Sequence, residues 1–313
     1  MSLFCVRASA FVLMTLLATM WCIAKSHADT ANDGTRAYTT SLDVLGQDTV
    51  ELYARERGKG RPILLLHGLA ASSYSWRKII PKLARHHRVI ALDLKGFGHS
   101  QKPFDLRYAP GDHARLVEAF IKKRGLNDVT IVGHSFGGAV ALITTLRLNR
   151  KEKGRIRDLV LIAAPAYRQP KTEFVEFLHA PLLPYLALAI VPPELATWLS
   201  LTQAERNIST HADVRAYARP YYDPAARHAL ITTTRQIMPH DIDTLTSLYP
   251  TIRQRALVVW CDNDKTVPLT KGQRLVQTLP RARLKVLQGC GHAVPDERPR
   301  ELSRILNRFI HRH

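Results

Sequence analysis

Short, mostly apolar runs recur along this chain, each followed by a glycine-bearing or polar break and then by residues at helical spacing. Pro62–Leu66, Arg88–Leu92, Asp128–Val132, Arg157–Ala163, Arg255–Trp260 and Arg283–Leu287 are such runs, and each predicts a strand. Pro62–Leu66 is continuous, as expected for a strand buried on both faces of a parallel sheet. Between them, helices are expected from Ser72 or Ser73 to about His86, over Asp112–Lys123, Gly137–Asn149 and Thr270–Leu279, and finally over Pro299–Arg312. In the first, Trp76, Ile79, Ile80 and Leu83 share one face; in the second, Leu116, Phe120 and Ile121 do, and Gly125 ends it. Ahead of this alternation, Tyr38–Leu45 and Thr49–Arg55 flank Gly46-Gln47-Asp48 and predict an antiparallel hairpin. The pattern as a whole is that of an α/β sheet, with functional loops at the carboxyl ends of its strands.

From Ala166 to Leu248 the strand pattern disappears. The segment is proline-rich in its first half (Pro170, Pro181, Pro184, Pro192, Pro193) and helical in spacing over Thr210–Arg219 and Pro224–Met238. Leu182–Val191 is apolar apart from Tyr185, but Pro184 interrupts it and it is too short to span a bilayer. We read residues 166–248 as an inserted helical cap on a core formed by residues 29–165 and 249–313.

The first 28 residues stand apart from the fold. Met1–Arg7 carries one positive side chain, Ala8–Ala24 carries no charge, and small residues precede a cut after Ala28, the features of a secretory signal peptide. The protein is therefore expected to be exported, to the periplasm or outside the cell; an uncleaved N-terminal membrane anchor is the alternative. Bulky Met20-Trp21 ahead of Cys22 argues against lipidation.

Composition adds a strong positive charge. Lys and Arg number 45 against 26 Asp and Glu, and loss of residues 1–28 leaves 43 against 26. This favours anionic surfaces such as lipid headgroups, although basic residues dispersed along the chain also fit a solvated surface. No basic-aromatic module points to nucleic acid. Two cysteines would remain, Cys261 and Cys290; they can form a disulfide in an oxidising compartment or stay as two free thiols, and they are too few and too widely spaced for a zinc site.

The candidate chemistry centres on Val129–Gly138, Val-Thr-Ile-Val-Gly-His-Ser-Phe-Gly-Gly. A strand runs into Gly133-His134-Ser135-Phe136-Gly137 and a helix follows, so Ser135 sits on a sharp strand-to-helix turn. Side chains at 133 or 137 would collide with neighbouring elements. A serine hydroxyl needs a base within reach and an acid to orient that base. His292, in a glycine-flanked loop after the last strand, is the expected base. Asp262 and Asp264 share the loop after the preceding strand; either is a candidate acid, and both are candidate loop-capping residues. The backbone N–H groups of Phe136 and Leu69 are the expected oxyanion donors. His67, His134 and His99 are expected to have structural roles.

With these residues in view, the chain resembles the α/β-hydrolase fold superfamily. His67-Gly68, the Asp93-x-x-Gly96-x-Gly98-x-Ser100 loop, Gly133–Gly137, Asp264-x-x-Val267-Pro268 and Gly291-His292 carry the resemblance, over about residues 50–165 and 250–313. It implies an eight-stranded, mostly parallel sheet flanked by helices, with the cap inserted after the sixth strand. It also implies that Asp264, three residues before Val267-Pro268, is the acid. Relatives acting on haloalkanes or epoxides use aspartate at the nucleophile turn, where this chain has Ser135. Relatives cleaving carbon–carbon bonds often carry tryptophan after the histidine, where this chain has Ala293. Ester cleavage through an acyl-enzyme is therefore the expected activity, without metal or organic cofactor, in a monomer. Acyl transfer, thioester or carbon–carbon bond cleavage on the same residues, and a hydrolase-derived ligand receptor, are the alternatives. The apolar side chains of the cap, with Leu182, Leu186 and Trp198 foremost, are expected to contact a lipid-like acyl group.

Overall fold

The computed structural model describes residues 34–44, 49–152, 154–204 and 210–311. The expected signal peptide and the expected turn at 46–48 lie outside the described residues. Eight strands make one sheet: β1 (Arg36–Leu42), β2 (Val50–Arg57), β3 (Pro62–Leu66), β4 (Arg88–Leu92), β5 (Val129–His134), β6 (Ile156–Ile162), β7 (Arg255–Cys261) and β8 (Ala282–Leu287). Their spatial order is β1-β2-β4-β3-β5-β6-β7-β8. β2 pairs antiparallel with β1 and with β4; every other pairing is parallel. The chain steps from β3 to β4 on one side and then returns to β5 on the other. The carboxyl ends of β3 and β5 therefore flank a crevice, the place where open α/β sheets bind ligands.

Two apolar layers cover the sheet. Successive strand residues point to opposite faces, so Leu64 and Leu66 join one layer while Ile63 and Leu65 join the other. This is why the central strands read as mostly apolar runs, while β1, β2 and β8 keep half-exposed polar positions. The helices of the core are α1 (Ile80–Leu83), α2 (Pro110–Lys123) and α3 (Phe136–Lys151) before the cap. The expected helix from Ser72 to His86 is broken. Ser72 caps a short 3-10 turn, Ser73–Trp76, and α1 begins only at Ile80. Pro81 explains the break, because it lacks the N–H that a continuous helix would need there. Helix α2 has Pro110 at its start, Asp112 accepting from the Ala109 N–H at 3.0 Å, and Lys122 and Lys123 in its last turn, where the helix dipole favours cations.

Between β6 and β7 the described residues form six α-helices: α4 (Glu173–His179), α5 (Leu183–Ile190), α6 (Pro193–Ala204), α7 (His211–Ala218), α8 (Pro224–Arg235) and α9 (Ile242–Ser247). α10 (Leu269–Thr278), α11 (Val294–Glu297) and α12 (Pro299–His311) complete the core. Leu302, Leu306 and Ile310, one turn apart, anchor α12 on the sheet.

A buried polar cluster ties cap to core. Arg77 pairs with Asp213 of α7 at 2.5 Å and with Asp296 of α11 at 2.7 Å. The Tyr74 hydroxyl donates to Asp213 and the Tyr217 hydroxyl to Asp296. Nothing in the spacing of these residues announces the cluster, because its members come from three separate segments.

Candidate active site

Ser135 sits between β5 and α3 at φ +50°, ψ −123°, a conformation that costs energy for any residue with a side chain. The surroundings hold it there. Its N–H donates to the Ile162 carbonyl at 2.8 Å, and α3 begins immediately after it. A Cβ on Gly133 would overlap the Gly137 carbonyl, and one on Gly137 would overlap the Leu66 and His67 carbonyls. The glycines are thus required by backbone contacts on both sides of the turn.

His292 Nε2 lies 2.8 Å from Ser135 Oγ, and His292 Nδ1 lies 2.8 Å from Asp264 Oδ2. An ionised carboxylate only accepts, so Nδ1 carries the proton toward Asp264 and Nε2 is free to accept from the serine hydroxyl. Asp264 and His292 are buried. The second oxygen of Asp264 accepts from the N–H groups of Thr266 (2.9 Å) and Val267 (2.8 Å), while the Trp260 indole donates to the Val267 carbonyl. These bonds fix the carboxylate plane. Asp262 has a different role: its Oδ1 accepts from the Gly289 N–H at 2.9 Å and binds the acid loop to the histidine loop. Cys261 and Cys290 form a disulfide between the same two segments. Glu297 adds a further hold by accepting from the Gly291 N–H.

The two expected oxyanion donors lie at the mouth of the same crevice. Among the described residues, neither the Phe136 nor the Leu69 N–H is taken by a backbone or side-chain acceptor. Gly68 packs close to the serine: a Cβ there would come within 3.3 Å of Ser135 Cβ. The loop carrying Leu69 is braced by groups buried beneath it. His67 Nδ1–H donates to the Gly68 carbonyl and its Nε2 accepts from the Leu94 N–H. Burial lowers the His67 pKa, keeping the ring neutral as these two bonds require. Asp93 accepts from the Ser73 and His99 N–H groups; burial works against its carboxylate, yet the His99 side chain and those backbone bonds hold it below the usual carboxylate range. His134 Nε2–H donates to the His292 carbonyl at 2.9 Å. Burial first, and the neighbouring His292 second, push its pKa down to about 3. Asp93 is the positioning residue least visible beforehand: its role depends on one N–H group from its own loop and one from the segment after β3, and only its place in the Gly-rich motif hinted at it.

A cavity of about 1200 Å³ opens over Ser135. Gly68, Leu69, Ser135 and His292 form its floor; Leu188, Val191, Ala196, Leu201, Tyr221 and Leu230 contribute to its roof and walls. Leu182, Leu186 and Trp198 do not line it. They are 72%, 60% and 42% exposed, on the outer side of the cap. The expectation that these three contact the acyl group is therefore corrected. The reason is helical geometry: Leu188, two residues beyond Leu186, points about 200° around α5. Both sides of the helix are apolar, so its sequence did not distinguish inside from outside. Among the described residues, no group of three or more histidine, cysteine or acidic side chains is arranged to hold a metal ion.

A serine, histidine and aspartate meeting at the crevice of an eight-stranded, mostly parallel sheet, under a helical roof, define a hydrolase of the α/β class. The chain belongs to the α/β hydrolase fold family, whose sequence profile matches residues 61–299. Among its relatives is an uncharacterised hydrolase, YugF, of Bacillus subtilis, 29% identical over 268 residues that cover 82% of this chain and 93% of that one. A second is 2-hydroxy-6-oxo-2,4-heptadienoate hydrolase of Pseudomonas putida, 28% identical over 266 residues, 83% of this chain and 93% of that one. Cfl2 of Burkholderia cenocepacia has the same fold, with a TM-score of 0.78 at 22% identity, covering 90% of this chain and 98% of that one.

Proposed function

We propose that this protein cleaves carboxylic esters with an apolar acyl group through an acyl-enzyme on Ser135. The observation that carries the reading is the 2.8 Å pair of contacts joining Ser135, His292 and Asp264 beneath a largely apolar roof. Ser135 Oγ attacks the ester carbonyl while His292 Nε2 takes its proton. The carbonyl electrons move to the oxygen, which the Phe136 and Leu69 N–H groups stabilise. The tetrahedral adduct collapses, His292 returns the proton to the departing alcohol, and the acyl group stays on Ser135. Water then attacks the acyl carbon with His292 again as base, and the acid is released. Asp264 holds the imidazole in the required tautomer and offsets its charge when it is protonated. No step requires a metal or organic cofactor. The disulfide supports the accompanying proposal of an exported, periplasmic or secreted enzyme, because such bonds persist in oxidising compartments.

A second reading is carbon–carbon bond hydrolysis, favoured by the similarity to the Pseudomonas putida enzyme. Ala293 speaks against it, since tryptophan often stands there in such enzymes. The test is a panel of p-nitrophenyl esters of increasing acyl length run beside 2-hydroxy-6-oxo-2,4-heptadienoate. The proposal expects turnover of the esters, with kcat/KM rising beyond acetate. Turnover of the dienoate alone would replace it by the second reading.

A further inference from the structure

The outward face of the cap is apolar. Leu182, Leu183, Leu186 and Ile190 follow one side of the α5 segment, and Leu195 and Trp198 continue the face on α6. Leu183 and Ile190 are 56% and 80% exposed, so these side chains stand in water rather than against the core. From Phe177 to Pro193 the sequence contains no Asp, Glu, Lys or Arg. A contiguous exposed face of this kind marks an interaction surface.

Composition and shape together select its partner. Helices α4 and α5 jointly have the length and apolar character of a membrane-crossing segment, yet they meet at 108°, and no single helix among the described residues is long and apolar enough to cross. Of this bent pair α5 is the uncharged half, and it suits a bilayer surface, with its exposed side chains in the acyl layer and its backbone bonds kept within the helix. The same helices also line the cavity: Leu188 and Val191 face it from the α5 segment, and Ala196 and Leu201 from α6. One layer of helix therefore separates the outer apolar face from the space above Ser135. A bilayer holding apolar esters fits this continuity better than a protein partner, which would have no use for the cavity behind. Charge is a secondary aid. Residues 166–248 hold seven basic and eight acidic side chains, whereas the whole chain has 45 against 26. Anionic headgroups thus attract the molecule as a whole, while the cap attaches through its leucines.

We propose that the α5–α6 face of the cap docks on a lipid bilayer and admits ester from it. Docking stands independently of the reaction; admission of ester rests on the reading above.

Tryptophan fluorescence tests the docking. Trp76 and Trp260 are fully buried, which leaves Trp198 as the exposed tryptophan among the described residues. The probe is vesicles of phosphatidylcholine and phosphatidylglycerol with brominated acyl chains, which quench only indoles that enter the acyl layer. Wild-type emission should be quenched, and Trp198→Phe should lose most of that quenching. Trp198→Phe leaves residues 1–28 unaltered, so attachment through the N-terminal segment, where it is retained, cannot produce the difference. A double variant, Leu183→Glu with Ile190→Glu, should bind vesicles about thirtyfold more weakly. It should hydrolyse a water-soluble acetate ester at the wild-type rate, which verifies its fold; if it does not, Trp198→Phe carries the test. Equal quenching in wild type and Trp198→Phe would overturn the proposal. So would sedimentation showing a wild-type dimer that the double variant converts to monomer, since the face would then join two copies of this chain. Ser135→Ala should bind vesicles like wild type. Docking without cleavage of any ester would refute the ester reading alone, and cleavage without docking would refute this proposal alone.

Discussion

The floor and the roof of the cavity are built on opposite terms. On the floor, Ser135 is held by the Ile162 carbonyl and by close passage of Gly133 and Gly137 against neighbouring backbone. His292 and Asp264 come from loops joined by a disulfide, by Asp262 and by Glu297. Each reacting side chain has one place to be. In the α5 segment of the roof, Leu186 faces solvent and Leu188 faces the cavity, although the two are chemically identical. Polar contacts anchor the roof at the Arg77 cluster, but apolar packing fills most of it. Geometry on the floor is therefore specified by directional bonds, and on the roof by which side of a helix meets the core. Substitutions on the floor should cost rate steeply, and substitutions on the roof should shift selectivity.

The largest effect expected apart from loss of the nucleophile is at the acid. Asp264→Asn should lower kcat for a p-nitrophenyl ester about ten-thousandfold, because the amide no longer imposes the tautomer His292 needs. Asp262→Asn, its neighbour two residues away, should change kcat by no more than about tenfold, because Asp262 holds the histidine loop at Gly289 and is not bonded to His292 itself. Equal losses in the two variants would break the assignment of Asp264 as the acid.

Next is the disulfide. Replacing Cys261 and Cys290 by alanine removes a link that closes a loop with a sequence separation of 29. The chain-entropy account gives a loss of about 3–4 kcal/mol in unfolding free energy. The same link joins the acid loop to the base loop, so kcat should also fall, by roughly tenfold, with KM little changed. Denaturant titration and steady-state kinetics separate the two effects. Stability lost with kcat intact would show that the bond serves the fold alone.

A separate effect, seen only in acid, is the protonation of buried histidines under the floor. His113, packed edge-on against Phe136, has its pKa pushed down to about 3, by burial first and by the Lys95 charge second. His134 is lowered to about 3 as well. The unfolded chain protonates these rings below about pH 6.5, while the folded chain resists until about pH 3. Their contribution to stability is thus full above pH 6.5 and falls as the pH drops from there toward 3. His113→Phe should flatten the acid side of a melting-temperature profile; an unchanged slope would contradict the burial account.

The smallest effect belongs to the roof. Leu188→Trp should reduce kcat/KM for long acyl esters about tenfold and leave acetate hydrolysis nearly unchanged, since it fills space without touching the floor. Loss of acetate hydrolysis to the same degree would show that roof and floor are less separable than described.

The same contrast governs what could be read before the structure. The central strands, buried on both faces, announce themselves as apolar runs, and all eight expected strands are present, with ends moved by one or two residues in most cases. The strand-to-helix turn was legible because its glycines answer to steric contacts that leave a fixed spacing. Asp264 and His292 were legible by their order after successive strands, although Asp262 and Asp264 could be separated only by resemblance and then by the bonds each makes. The helix expected from Ser72 to His86 failed at Pro81, whose missing N–H outweighed the apolar spacing around it. Leu182, Leu186 and Trp198 were misplaced because the helices bearing them are apolar on both sides, so periodicity carried no direction. The Arg77 cluster was invisible because its partners lie far apart in sequence, and the Asp93 brace showed only as a motif position, without its bond to the Ser73 N–H.

Covalent labelling of the nucleophile tests the central claim most directly. A fluorophosphonate should add to one residue, Ser135, located by mass spectrometry of the digested protein. Ester turnover should vanish in step with labelling, and Ser135→Ala should accept no label while keeping its circular dichroism spectrum and losing about a millionfold in kcat. Label found on another residue, or turnover undiminished in fully labelled protein, would contradict the account.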